Sequence, residues 1–291
     1  MPHTQPVTKA IICVAGYGTR RLPITKAVEK CMIPVGNRPI VDYAVENCIK
    51  AGITDIIFVV GEQSEQIRTY YGRNQALEAY LVAQQKTAAL DSLSDLEAKA
   101  VFHFVTQDRE QPYGTSVPIW LARDYIQPGE QFLFMYGDNL FYQEDGNAVA
   151  DFLHDIRGSG ANCAMMVNEV PYDTVSRYGI VATETRGAHE FFQYIKEKPA
   201  ADEAPSNLNN SGCFLLSSDI FTFVERSMHE PDPTLHEHLF TDPINWYHDA
   251  GHDIAVGRLK GEYLDCGSLE GWLYANNRVV GAQTTPLVPT N

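Results

Sequence analysis

Strand-length apolar runs alternate with helix-period stretches along the first half of the chain, and this alternation constrains the fold more than any other property of the sequence. Residues 9–15 (KAIICVA) form a short apolar run that ends in glycine. Residues 40–51 then place Ile40, Ala44, Val45, Cys48 and Ile49 at helical spacing before Gly52, and 55–60 read as a strand again. Helical stretches at 64–71, 75–90 and 116–125 are interleaved with strand-like runs at 100–106 and 131–136. Strands alternating with helices predict an α/β chain with a doubly wound, mostly parallel sheet. After Gly146 the texture changes: strand-like stretches at 162–168, 178–183, 190–196 and 211–216 have fewer helices between them, and helices return at 219–228 and 239–250. This predicts extra sheet added to the first half. With no linker rich in Gly, Ser or Pro between the halves, one continuous domain over 9–281 is expected, flanked by loose tails at 1–8 and 282–291.

Charge narrows the possible partners. The 291 residues carry 22 Lys+Arg against 37 Asp+Glu, a net charge of −15, in a chain that is 44% hydrophobic. That balance argues against a broad basic surface for nucleic acid or anionic membrane, so neither partner is expected. It leaves room for a local basic pocket in an acidic shell, as an enzyme for phosphate esters requires. Cys13, Cys31, Cys48, Cys163, Cys213 and Cys266 contain no C-x-x-C pair, which argues against a zinc or redox site. His236 and His238, two positions apart, do not share a helical face and are not read as a metal pair. Neither a signal-peptide-like run nor an apolar stretch of membrane-spanning length occurs, so a cytoplasmic protein is expected.

Four constellations could carry chemistry. Directly after the first strand comes Gly16-Tyr17-Gly18-Thr19, where glycines let a ligand approach the backbone, followed by a cationic cluster of Arg20, Arg21, Lys26 and Lys30. Arg21 stands where a dinucleotide fingerprint has its third glycine, and no P-loop pattern occurs, so the loop is read either as a polyphosphate site or as a solvated turn. Asp138, after the apolar run 132–135 and Gly137, is placed at a strand end, where it could hold Mg²⁺ or simply form a turn. Asp265 in Leu264-Asp265-Cys266-Gly267 stands in a similar setting and could converge with it. Glu197 and Lys198, before Pro199, are either edge-strand charges or partners for sugar hydroxyls and a sugar phosphate.

Taken together, the segments 16–35 (GYGTRRLPITKAVEKCMIPV), 136–139 (YGDN), 169–171 (EVP) with 178–180 (YGI), 196–208 (KEKPAADEAPSNL) and 263–267 (YLDCG) resemble the sugar-1-phosphate nucleotidyltransferases over about residues 9–280. Thr25-Lys26, the run EKPAADEAPSNL and the helical insert around 77–79 match the uridylyl branch rather than the thymidylyl branch. The resemblance implies a Rossmann-like, GT-A-type fold with a mixed, mostly parallel central sheet and an added smaller sheet. It also implies transfer of a uridylyl group from UTP to glucose 1-phosphate, giving UDP-glucose and pyrophosphate. By position, Ala15, Gly16, Gly18, Thr19, Gln107 and Gly114 would line the nucleotide, with Gln107 facing the base. Arg20 and Lys30 would hold the triphosphate; Gly179, Glu197 and Lys198 would bind the sugar phosphate; and Asp138 and Asp265 would coordinate Mg²⁺. The half up to about 145 would then serve the nucleotide and 146–281 the sugar phosphate, in a homodimer or homotetramer.

The sequence departs from the family pattern in three places. Glu29 replaces a proline and Cys31 a glutamate in the motif around Lys30; Pro112 and Thr115 replace a glycine and a histidine in the loop after Gln107; and Gly212 is followed by Cys213 where arginine is frequent. These changes bear on the choice of base and, less, of sugar. They leave open dTTP, CTP or another hexose phosphate, or a regulator that binds without turnover. Cys31 and Cys266 lack a neighbouring base at useful spacing and are read as structural.

Overall fold

The computed structural model describes residues 6–108, 110, 112–230 and 237–283. Among the described residues thirteen strands run in chain order: β1 Lys9–Cys13, β2 Pro34–Val35, β3 Arg38–Pro39, β4 Asp55–Gly61, β5 Val101–Gln107, β6 Gln131–Tyr136, β7 Asn139–Tyr142, β8 Cys163–Glu169, β9 Gly179–Arg186, β10 His189–Glu197, β11 Leu208–Ser217, β12 Ile254–Arg258 and β13 Glu262–Asp265. The helices are α1 Ile40–Lys50, α2 Gln66–Tyr71, α3 Gln75–Ala83, α4 Thr87–Glu97, α5 Val117–Leu121, α6 Ala148–Asp155, α7 Phe221–His229, α8 Thr241–Asp249 and α9 Leu269–Gln283. None of them is long and apolar enough to cross a membrane.

Nine strands form one sheet in the order β5-β4-β1-β6-β11-β8-β12-β10-β9. β1 lies parallel between β4 and β6, and β5 is parallel to β4. Successive residues of these strands face opposite cores, so both faces are covered and the runs read as continuously apolar. Ala10, Ile12, Phe58, Leu133 and Met135 face one core with α1, while Ile11, Ile57, Val59, Phe132 and Phe134 face the other.

In place of the expected smaller added sheet, the second-half strands extend the large one, which is mixed rather than mostly parallel: β4–β5, β1–β4, β1–β6 and β8–β12 pair parallel, whereas β6–β11, β8–β11, β10–β12 and β9–β10 pair antiparallel. β11 zips antiparallel onto β6, pairing Cys213 with Met135 and Phe214 with Phe134, and β8, β12, β10 and β9 continue the same sheet. Because β6 is buried on both faces, its open edge is best satisfied by another strand, and β11 supplies it. The small separate sheets are β7 with β13 and β2 with β3.

The helix expected over 75–90 divides in two. Gln85 has φ 54°, and the amides of Gln85 and Lys86 donate back to the Val82 and Leu81 carbonyls, the double bond of a Schellman stop. A new helix starts at Thr87.

This topology positions a site through its parallel strands. β1, β4, β5 and β6 point the same way, so the chain leaves all four at one edge of the sheet, where open α/β sheets receive ligands. The loop after β1 passes through three single-turn 3₁₀ helices, Thr19–Arg21, Ile24–Lys26 and Lys30–Met32.

Candidate functional site

At the end of β6 the chain turns through Gly137, whose amide donates to the Cys13 carbonyl (3.0 Å), and this sets Asp138 beside the end of β1. The Lys30 ammonium pairs with the Asp138 carboxylate. Lys30 arrives there because the loop folds back on itself: the Thr25 hydroxyl donates to the Gly18 carbonyl (2.9 Å). Gly18 has φ +63°, and a Cβ there would stand 2.9 Å from Lys30 Cβ, so only glycine gives both the left-handed turn and the close approach. Gly16 has open space around it, Thr19 and Arg20 are exposed, and Ala15 is half-buried with its carbonyl facing Gly61.

β13 brings the second carboxylate. Asp265 is in register with Asn139, the residue after Asp138, and accepts from the Gly267 amide (2.8 Å). The Arg20 guanidinium lies against the same turn, where a Cβ on Gly267 would stand 3.0 Å from its Nη2 and 2.8 Å from Asp265 Oδ1. Burial and the nearby charges of Asp265 and Asp138 both push up the Tyr263 hydroxyl and the Cys266 thiol, the latter to about 12. Tyr263 also donates to Asn139 Oδ1 (3.2 Å), and Asn139 Nδ2 donates to the Ser211 carbonyl (2.6 Å). Two acids far apart in sequence therefore share neighbours, and each has a cation from the 16–30 loop beside it. Among the described residues no three His, Cys, Asp or Glu side chains gather as a metal cage.

Of the residues expected to meet the sugar phosphate, Gly179 is in register with Glu197, and the Lys198 amide donates to the Tyr178 carbonyl (2.9 Å). Lys198 takes φ 44°, so the strand ends at Glu197 by a left-handed turn immediately before Pro199. Tyr136 is pushed up first by burial, with Glu197 and Asp138 both adding, so its hydroxyl senses the acids of both halves. The Glu197 carboxyl lies above its ordinary value because it is buried, with Glu237 and Asp242 raising it further and Lys198 opposing. The folded chain thus holds a proton on Glu197 to higher pH than the unfolded chain does. This group's stabilising contribution is full below the ordinary value near 4.5 and is lost as pH rises through the folded value. For Glu197→Gln, whose side chain stays neutral, the urea midpoint relative to the parent is expected to climb as pH rises from about 4.5 and then level off. A difference constant with pH would refute the assignment.

Gln107, expected to face the base, ends β5, and its Nε2 donates to the Pro112 carbonyl (3.0 Å). Gly114 is wedged against His238: the His238 amide donates to Tyr113 (2.8 Å) and the Ser116 amide to His238 (2.8 Å). Thr115 accepts from the Phe240 amide (2.8 Å) and bonds the Tyr136 hydroxyl. The departure from histidine thus serves to fasten this loop to the 237–240 segment.

Not all the cations of the predicted cluster reach the acids. Arg21 is buried, donates to the Cys266 and Ser268 carbonyls (3.0 and 2.9 Å) and lies over Trp272, so it ties the loop to the turn after Asp265. Lys26 is exposed, and Lys196 forms an exposed pair with Glu203 (2.6 Å). Neighbouring arginines on one 3₁₀ turn point in different directions, and their types alone do not tell which faces the ligand. Sequence reasoning missed Arg21's role, Tyr136, Asn139 and Tyr263; an aromatic residue two positions before Asp265 and Asp138 was the available signal for Tyr263 and Tyr136. Cys31 and Cys266 are buried free thiols, Cys31 raised by burial first and then by Glu29 and Asp138. His236 lies outside the described residues, while His238 Nδ1 meets the Ser227 carbonyl (2.6 Å), a packing role.

The family model for nucleotidyl transferases matches residues 9–280. The chain belongs to this family. It is 35% identical over 275 residues to the UTP–glucose-1-phosphate uridylyltransferase of Streptococcus pneumoniae, covering 93% of this chain and 89% of that protein. The UTP-bound UGPase of Acinetobacter baumannii superposes with a TM-score of 0.84 at 30% identity, covering 97% of this chain and 95% of that one. A UDP-glucose pyrophosphorylase complexed with UDP-glucose superposes with a TM-score of 0.81 at 28% identity, covering 94% and 99%.

Proposed function

We propose that this chain transfers a uridylyl group from UTP to glucose 1-phosphate, forming UDP-glucose and releasing pyrophosphate. The observation that carries the reading is the pair of carboxylates at neighbouring strand ends, Asp138 and Asp265, each faced by a cation from the glycine loop. The relatives named for the same reaction, and the neighbours holding UTP and UDP-glucose, support the choice of substrates. The GT-A-like description, with residues up to about 145 serving the nucleotide and 146–281 the sugar phosphate, belongs to the same reading.

In this reading Ala15, Gly16, Gly18 and Thr19 line the nucleotide, Arg20 and Lys30 hold the phosphates, and Gln107 and Gly114 bound the base. Gly179, Glu197 and Lys198 take glucose 1-phosphate, Lys198 meeting the phosphate and Glu197 the hydroxyls. The phosphate oxygen of the sugar attacks the α-phosphorus as pyrophosphate leaves, so the side chains act by alignment and by neutralising charge. Asp138 and Asp265 are hard oxygen donors at one strand edge with cations beside them, a donor set that suits Mg²⁺ completed by phosphate oxygens. Bound there, Mg²⁺ supplies a Lewis acid and a template for those oxygens. Six free thiols support a reducing, cytoplasmic setting, and Leu269, Leu273 and Tyr274, left exposed on α9, support assembly as a homodimer or homotetramer.

Pyrophosphate release with Mg²⁺ across UTP, dTTP and CTP, each with glucose 1-phosphate and other hexose 1-phosphates, tests the reading. Highest kcat/KM is expected for UTP with glucose 1-phosphate. Preference for dTTP overturns the uridylyl assignment, and no release from any pair leaves a binding protein.

A further inference from the structure

Between Gly16 and Lys30 only Arg21 is a buried residue, so this stretch takes its shape from bonds to its surroundings more than from a core of its own. Arg21 fastens its beginning. Its end is fastened by α2. Gln66 Oε1 accepts from the Glu29 amide (2.9 Å), Gln66 Nε2 donates to the Ala27 carbonyl (2.9 Å), and the Gln66 amide donates to Glu29 Oε1 (2.6 Å). This is the reciprocity of a capping box, with the two members 37 positions apart. The other oxygen of Glu29, Oε2, is buried without a partner, so the carboxylate is held in place by this contact rather than by a salt bridge of its own.

The helix that does the holding is itself well fixed. Ile67 is fully buried, Tyr71 stacks on Phe58 (5.1 Å between ring centres), and Arg68 Nη2 donates to Thr106 Oγ1 (2.8 Å), one residue before Gln107. α2 thus grips the glycine loop through Gln66 and the base-side strand end through Arg68, two residues further along its first turn. Lys30 is the residue after Glu29, and its ammonium rides on a flexible stem, so where the charge stands depends on where the backbone at 27–30 is held. Neither Gln66 nor Glu29 pairs with Asp138 or Asp265; what they control is the backbone that carries Lys30.

We propose that Gln66 is a positioning residue for nucleotide binding, which clamps the Ala27–Glu29 backbone so that Lys30 stands over the end of β6, where the phosphates of the nucleotide bind. The proposal rests on the nucleotide reading above. A charge that moves away from the phosphates it faces loses attraction to them, and each tenfold in affinity is only about 1.4 kcal/mol, so the clamp bears directly on affinity.

The test compares the intact protein with Gln66→Met, which keeps the length of the side chain and removes both of its bonds. Affinities for UTP, for pyrophosphate and for UMP, which carries the base without the outer phosphates, are measured by calorimetry. UTP and pyrophosphate are expected to bind about tenfold more weakly to Gln66→Met, with UMP changed by less than about twofold. The double variant Gln66→Met/Lys30→Met is expected to bind UTP no more weakly than Lys30→Met alone, because Gln66 acts through Lys30. A general loss of structure would weaken all three ligands together, so the ratio between them decides even if the melting temperature falls. Unchanged UTP affinity in Gln66→Met, an equal loss for UMP, or fully additive losses in the double variant would each overturn the proposal while leaving the nucleotide reading intact. Unchanged UTP and pyrophosphate affinity in Lys30→Met would overturn both.

Discussion

Asp138→Asn is expected to lower turnover of UTP and glucose 1-phosphate by about 10³-fold or more, roughly 4 kcal/mol at 1.36 kcal/mol per decade. The substitution keeps the shape of the side chain and removes its charge at the end of β6. It takes away half of the paired carboxylates and leaves the Lys30 ammonium without its partner. The loss should fall on kcat rather than on KM for glucose 1-phosphate, since the charge it helps to neutralise grows as pyrophosphate departs. Because Lys30 and Asp138 both keep some contact with solvent, the urea midpoint should stay close to that of the parent. Steady-state pyrophosphate release checks the result. Activity within tenfold of the parent would remove Asp138 from the chemistry and favour a protein that binds nucleotide sugars without turning them over.

The second large effect is on the fold. In Gly114→Ala the new Cβ would stand 2.4 Å from both the amide nitrogen and the carbonyl oxygen of His238, and φ there is +136°. Backbone cannot step aside as a flexible side chain can, so the bonds from His238 to Tyr113 and from Ser116 to His238 must break or stretch. A destabilisation of roughly 3 kcal/mol is expected from strain together with the lost bonds, read as a drop in the urea midpoint. The contrasting substitution is Gly16→Ala, where nothing lies within 4 Å, and whose midpoint should hardly move. Equal midpoints for the two alanine variants would mean that the 113–116 loop is not fastened to the 237–240 segment as described.

Much of the fold was legible because the central strands are buried on both faces. The run 131–136 reads as a strand and is one to the residue, and helix α1 differs from its expected span by one position at its end. α6 and α9 were missed. In α9 the apolar residues Leu269, Leu273 and Tyr274 are exposed, whereas Ala275 and Val279 are the buried ones, so the apolar pattern does not mark the inward face. β7 and β13 are four residues each, too short for periodicity to register, and their pairing across more than a hundred positions is a tertiary event.

The candidate site was legible unevenly, for a related reason. Residue type and position at a strand end pointed to Asp138, Asp265 and Lys30 without help from the structure. Direction was not encoded in type: Arg20 and Arg21 are chemically identical neighbours, yet one stands beside Asp265 and the other holds the carbonyls beyond it. The reciprocal bonds of Glu29 and Gln66 were likewise invisible, because a cap supplied from another part of the chain leaves no local spacing to recognise.

The tie from Arg21 to Cys266 and Ser268 spans 245 and 247 positions, and it bears on how the protein is made. Synthesis proceeds from the N-terminus, so the glycine loop leaves the ribosome well before the turn that anchors it. While the chain is still growing, the loop has no carbonyls to grip, and Asp265, which must face Asp138, does not yet exist. Until the turn at Cys266 and Ser268 has been made, the loop therefore lacks the contacts that fix its shape, and the two carboxylates cannot meet.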